Sequence, residues 1–247
     1  MEKTQLFASI AQFYDYSMRT NCDYSGWADY VVGKIKTLAP NATCGIDVAC
    51  GSGYFTRALK RAGYNVSGTD ISPEMLTSAQ KITAEEGMFI PYFLGDMTAL
   101  KPGAKVDFIT AINDAVNCLP DDKLEKAFCS MGKLLKKGGI LHFDVSSEYK
   151  LRNVIANNTF CEDDDDYSYI WFNKPFQDRV VMEMSVFLRG SDNKYTKQES
   201  ILTEYIHKKE RLVEALTNSK FTVIAVEGDM GNYTEISRRI NITAIKD

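Results

Sequence analysis

The chain has 247 residues, 45% hydrophobic and 25% charged, with 29 basic and 33 acidic side chains for a net charge of −4. That length suits one large α/β domain, or one domain carrying a sizeable insertion, and it can bury a core without staples or metal. A slightly acidic balance with no basic tail or basic run argues against a partner held through many phosphates.

In chain order, Leu6, Ile10 and Phe13 lie at helical spacing, as do Trp27, Tyr30, Val31 and Ile35, which predicts two N-terminal helices. Ser25 is placed to cap the second, and Pro40 lies just beyond its end. Strand and helix then alternate: a strand over 43–49, a glycine turn, a helix over 55–62 ended by Gly63, and a strand over 65–70. Ser72 followed by Pro73 opens the next helix, since a capping hydroxyl and a proline at the first helical position both favour a helix start. Further strands are expected over 88–94 and 106–112, then a helix from about 120 to 137 that stops at Gly138-Gly139, and a fifth strand over 140–145. This rhythm indicates crossover units and a parallel sheet.

After Asp144 the pattern changes. Residues 167–172, 179–188 and 195–207 are rich in β-branched and aromatic side chains, and turn chemistry separates them at Asn173-Lys174-Pro175 and Gly190-Ser191-Asp192-Asn193. Strands without helices between them pair antiparallel. A helix over 209–219 and strands over 221–227 and 234–245 return to the main sheet. The expected fold is therefore α/β, a Rossmann-like, mostly parallel seven-stranded sheet with an antiparallel β insertion. Its units are N-terminal helices (1–40), a core (41–147 and 208–247) and a lid (148–207).

Six cysteines (Cys22, Cys44, Cys50, Cys118, Cys129 and Cys161) form no CxxC pair. His142 and His207 are the two histidines, so no zinc spacing exists and no metal is expected. Free thiols, an N-terminus without the profile of a signal peptide and no apolar run of membrane-spanning length predict a cytosolic protein with no membrane partner.

The chemistry concentrates in Gly45-Ile-Asp-Val-Ala-Cys-Gly-Ser-Gly-Tyr54, which reads as strand, glycine turn and helix. Gly51 and Gly53 let backbone approach a ligand closely, and the helix that follows offers oriented N–H groups. Asp70 stands at the end of the next strand, 17 residues past Gly53, where a carboxylate can accept from two ribose hydroxyls. By itself this pattern also fits a nicotinamide enzyme or a plain turn.

The stretch resembles the first motif of the class I S-adenosylmethionine-dependent methyltransferases, with Ala49 where that family places glycine. Gly68-Thr-Asp70-Ile-Ser-Pro-Glu-Met-Leu76 is similar to the family's ribose-binding strand end, and Phe93-Leu-Gly-Asp96-Met97 to its adenine-holding segment. Asp107-Phe-Ile-Thr-Ala-Ile-Asn113-Asp114 resembles its fourth strand, and Lys136-Lys-Gly-Gly-Ile-Leu-His-Phe-Asp144 the start of its fifth. A nicotinamide enzyme would put its third glycine at Thr56 and has no need of Gly95-Asp96. Phe13-Tyr14-Asp15 and Tyr24-Ser-Gly-Trp27 resemble bacterial relatives whose N-terminal helices fold over the cofactor and which carry an antiparallel lid.

The resemblance implies S-adenosylmethionine as cofactor. It implies contacts from Tyr14, Trp27, Asp47, Ala49, Cys50, Gly51, Ser52, Gly53, Asp70, Ile71, Met75, Gly95, Asp96, Met97, Asn113, Asp114 and Asn117. Asp47 would face the methionine amino group, Asp70 the ribose and Asp96 the adenine amine. For each of these, capping or core packing is the plain alternative. Tyr169, Trp171 and His207 are candidates for the acceptor pocket, and the catalytic base is unassigned. The expected partner is a small-molecule methyl acceptor. A methyltransferase acting on RNA or protein, and a cofactor-binding module without turnover, are the rival readings.

Overall fold

The computed structural model describes residues 23–101, 103–190 and 192–247. The helix expected over 6–13 and the candidate Tyr14 lie outside these described residues. Helix α1 (Tyr24–Leu38) buries Trp27, Val31 and Ile35, side chains four residues apart on one face. Its cap is Asp23, whose carboxylate accepts from Gly26 N at 2.8 Å, rather than Ser25.

The main sheet runs β3-β2-β1-β4-β5-β12-β10-β11. Strands β1 (Cys44–Val48), β2 (Asn65–Asp70), β3 (Tyr92–Leu94), β4 (Val106–Ala111) and β5 (Leu135–Ser146) are parallel. β12 (Arg239–Lys246) pairs antiparallel with both β5 and β10 (Phe221–Gly228). The seven expected strands are joined by an eighth, the two-residue edge strand β11 (Gly231–Asn232). The chain moves from β1 out to β2 and β3, then returns to place β4 on the other side of β1. That reversal opens a crevice at the carboxyl ends of β1 and β4.

Helices α2 (Tyr54–Arg61), α3 (Pro73–Glu85), α4 (Leu124–Gly132) and α5 (Lys209–Asn218) complete the layers. Alternation along β5 decides what each face holds. Leu141, Phe143 and Val145 pack into the main core with α4 and α5, while Ile140 faces the cluster built on α1 and α2.

Four boundaries differ from expectation. α4 ends at Gly132, not near 137, and β5 begins at Leu135. Gly138-Gly139 is an excursion inside the strand: the pairing jumps from Val106–Leu135 to Phe108–Ile140, Gly138 takes φ 77°, and Lys136 Nζ donates to Asp107 Oδ1 at 2.6 Å. β3 shrinks to three residues, and the last strand starts at Arg239, not 234.

A second sheet of four antiparallel strands, β6-β7-β8-β9, lies between β5 and α5 in sequence. Its strands are β6 (Thr159–Asp163), β7 (Tyr167–Pro175), β8 (Arg179–Arg189) and β9 (Tyr195–Tyr205). β6 was not expected, because its second half is the start of the acidic run 162–166. A π-helical turn over Lys150–Ile155 leads into it, with Leu151 and Ile155 packed against Val180 and Met182.

Gly45 of β1 carries a testable constraint, because a Cβ there would enter the ring of buried Phe108 on β4. Gly45→Ala is expected to lower unfolding free energy by about 1–3 kcal/mol, the usual cost of overpacking, in urea titration.

Candidate active site

The crevice at the switch point holds a cavity of about 350 Å³. Its floor is the turn from β1 into α2, where Ala49 (φ 55°), Gly51 (φ 53°) and Gly53 (φ 81°) are all left-handed. Gly53 N donates to Cys50 O at 2.9 Å, closing the turn, and Cys50 N donates to Thr69 O at 3.0 Å, tying it to β2. A Cβ on Gly53 would stand 2.5 Å from Tyr92 Oη, so this position needs glycine for space as well as for conformation.

Two carboxylates are built into this frame. Asp70 accepts from Gly51 N at 2.8 Å and from Ser72 N at 2.9 Å, tying the first turn to the start of α3. Ser72 caps that helix through Met75 N at 3.2 Å. Burial raises the Asp70 carboxyl above its ordinary value, and the backbone N–H groups of Ser72 and Gly51 pull it back. Asp47 is 2% exposed and accepts from Thr56 Oγ1 at 2.6 Å and Thr110 Oγ1 at 2.7 Å, one hydroxyl from α2 and one from β4. Burial pushes it up to about 6, against the lowering effect of the two hydroxyls. Beside β3, Asp96 spends one oxygen on Thr98 N at 2.8 Å. Burial also raises the thiol of Cys50.

Asp47, Ala49, Cys50, Gly51, Ser52, Asp70, Ile71, Met75, Gly95, Asp96, Met97 and Asn113 all line the cavity, and Gly53 shapes its floor from behind. Six expected contacts lie elsewhere. Trp27 is buried under the Arg239 guanidinium at 4.1 Å and edge-on to Phe55, while its neighbour Tyr24 reaches the lining. Asp114 turns to Arg239 and Lys150. Asn117 donates to Ser146 O at 3.2 Å and Tyr205 O at 2.9 Å and accepts from Ser146 N at 2.9 Å, which leaves it no reach into the cavity.

Tyr169 and Trp171 are on the face of β7 that packs with Met184 and with Leu151 and Ile155. His207 is buried with Nε2 3.0 Å from Leu119 O, burial lowers its pKa, and it borders a separate surface cleft. His142, read as a strand residue, bonds Thr243 at 2.9 Å across β12.

The antiparallel sheet reaches the cavity through β9 instead, by Leu202, Thr203 and Tyr205. Lys123 and Leu119 from the segment before α4, with Ile112 and Tyr54, complete that end. Residues 195–207 read as a strand from their composition, but nothing in that composition marks these three side chains as cavity-lining.

An open sheet with a glycine turn, two carboxylates at successive strand ends and a third acidic station beside β3 defines an α/β enzyme that binds a nucleoside cofactor. A family model described as a methyltransferase domain matches residues 46–139. A protein of Geobacillus sp. (strain WCH70) named as a methyltransferase is 30% identical over 97% of this chain and 99% of its own. The crystal structure of an S-adenosylmethionine-dependent methyltransferase from Clostridium acetobutylicum ATCC 824 matches with TM-score 0.88 and 29% identity, over 96% of this chain and 97% of that one. An S-adenosylmethionine-bound amino pentose methyltransferase from Micromonospora echinaspora shares the fold, with TM-score 0.78 and 18% identity over 96% and 97% of the two chains.

The chain belongs to the class I S-adenosylmethionine-dependent methyltransferases. It is an enzyme of that class, and S-adenosylmethionine is its cofactor.

Ala49 gives the floor a measurable signature. A non-glycine residue in the left-handed region costs roughly 1–2 kcal/mol, and glycine adds about 0.4–1 kcal/mol of unfolded-state freedom. Ala49→Gly is therefore expected to stabilise the protein by about 0.5–1 kcal/mol, read by chemical denaturation.

Proposed function

We propose that this enzyme methylates a small-molecule acceptor in the cytosol, with the cofactor lying along the Ala49–Gly53 turn and the acceptor under the antiparallel sheet. The carrying observation is that one cavity is lined both by the motif residues and by the β9 residues Leu202, Thr203 and Tyr205. The sheet over 159–205, inserted as unit 148–207 between the core segments 41–147 and 208–247, then serves as the lid.

The residues fit the group they are to hold. Asp47 is an anion in a dry recess and suits the methionine ammonium. Asp70 keeps lone pairs on both oxygens for the two ribose hydroxyls. The second oxygen of Asp96 can take the adenine amine, between Ile71 and Met97 as apolar walls. When bound, the cofactor supplies a methyl group already electrophilic on its sulfonium. The chain's own work is to align the acceptor in line with that bond and exclude water, which orientation alone can make worth about 7 kcal/mol or more.

Among the described residues at the lid end, the titratable side chains are Tyr24, Tyr54, Cys118, Tyr205 and Lys123. An amine acceptor, whose lone pair needs no base, suits that lining better than an unactivated hydroxyl. The amino pentose acceptor of the structural neighbour is of this chemical kind.

Thermal melting tests the cofactor half. A ligand at about 100 times its dissociation constant adds roughly 2.7 kcal/mol, so S-adenosylhomocysteine should raise Tm clearly, and Asp70→Ala should remove the shift. Methyl-labelled cofactor offered to metabolite, RNA and protein fractions tests the acceptor. Label is expected in small molecules, and label confined to macromolecules would refute the proposal.

Asp47 sets an acid limb. Its carboxyl is raised in the free protein, and ammonium binding requires the carboxylate. On the acid side, affinity for S-adenosylhomocysteine should therefore fall as pH drops through about 6. In Asp47→Asn the affinity should be lower and this limb absent.

A further inference from the structure

The densest buried charge outside the cavity lies where the lid meets the core. Asp144, at the end of β5, accepts from Asn113 N at 2.7 Å and Asp114 N at 3.2 Å. Arg239 Nη1 donates to both Asp144 and Asp114. Lys150 Nζ stands 3.5 Å from Asp114 and donates to Ser146 Oγ at 2.8 Å. Into this set β9 inserts Glu204, which is 7% exposed and whose Oε2 is buried with no hydrogen-bond partner.

The count of charges says how many protons the set retains, and the donors around each carboxyl bear on where. Three carboxyl groups, Asp114, Asp144 and Glu204, face two cations, Arg239 and Lys150. A fully ionised set would leave one uncompensated negative charge in a buried place, which is costly, so one proton is retained. Asp144 is supplied with three donors, and Asp114 faces both cations. Glu204 has the bare oxygen, and it is the carboxyl that keeps the proton.

We propose that Glu204 is a positioning residue, held as the neutral acid, that seats the end of β9 on the core. It thereby fixes both the lid residues over the cavity and the Asn113–Asp114 turn in the cavity wall. The linkage runs two ways. Next to Glu204, the carbonyl of Tyr205 is gripped by Asn117, whose amide also holds Ser146. On the other side, Asn113 (φ 69°) and Asp114 (φ 62°) form a left-handed pair that persists because Asp144 and Arg239 hold it. An ionised Glu204 competes with Asp114 and Asp144 for Arg239 and Lys150, and so loosens both the turn and the lid.

The charged groups facing Glu204 are Asp114 from the β4 end, Lys150 from the π-helical turn and Arg239 from β12, with the Ser146 hydroxyl on β5. Burial, aided by Asp114, raises Glu204 to about 7, with Lys150, Ser146 and Arg239 opposing. The predicted loss is thus alkaline, on the opposite side of neutrality from the Asp47 limb.

The test is calorimetric titration of S-adenosylhomocysteine into the full chain from pH 6 to 8.5, in buffers of different ionisation enthalpy, with wild type and Glu204→Gln. Wild-type affinity should weaken above pH 7, approaching tenfold per pH unit at full coupling, while the permanently neutral Gln variant keeps its affinity. A flat wild-type profile, or a Gln variant that weakens in parallel with it, overturns the proposal. Should the variant not fold, wild type alone decides: net proton uptake on binding at pH 8 supports a neutral Glu204 in the bound state, and no uptake overturns it.

Discussion

Compensation of buried carboxylates at the carboxyl edge of the sheet is the constraint on which this structure depends. Asp47, Asp70 and Asp144 sit near the ends of β1, β2 and β5, and each is buried. A bare carboxylate cannot be left there, so each recruits donors from a different element. Asp47 uses hydroxyls from α2 and β4, Asp70 the N–H groups of two turns, and Asp144 a guanidinium from β12 with two N–H groups after β4. These bonds hold the turns that line the cavity. Removing Asp70 or Asp144 would leave an adjoining turn without its anchor, and removing Asp47 would untie α2 from β4.

The same arrangement divides the site into two kinds of geometry. The end built on the motif uses a turn of ten residues, a strand end and a helix cap, tied together between neighbouring strands by Cys50 N to Thr69 O and Gly51 N to Asp70. The other end of the cavity is assembled from β9 and the segment before α4, more than seventy residues apart, joined through Asn117, Ser146 and Tyr205. The far end of the cavity depends on how the antiparallel sheet is seated on the core.

That division also explains what could be read from the amino acids. The parallel core, the antiparallel insertion and the positions of Asp47, Asp70 and Asp96 around the cavity follow from periodicity and from a motif whose residues are chemically constrained. The excursion at Gly138-Gly139 was hidden because paired glycines end helices more often than they bulge strands. Strand β6 was masked by Glu162 and Asp163, which look like a solvated loop. Trp171 and Tyr169 share a sheet face with Leu202 but pack inside the antiparallel sheet's own clusters, the packing role that aromatic strand residues equally allow. His207 and Asn117 are polar side chains near the crevice, yet each serves backbone groups, Leu119 O in one case and Ser146 with Tyr205 in the other.

Arg239 shows why the return of the chain matters to chemistry that begins two hundred residues earlier. β12 is antiparallel, so its first residue, not its last, lies at the carboxyl edge of β5, opposite Ser146. Arg239 is therefore delivered to the same edge as Asp114 and Asp144, stacked on Trp27 of α1. A parallel strand in that place would bring its C-terminal end to this edge instead. The antiparallel reversal at the far side of the sheet is thus part of the site: it supplies the cation that lets two carboxylates stand beside a left-handed turn in the wall of the cavity.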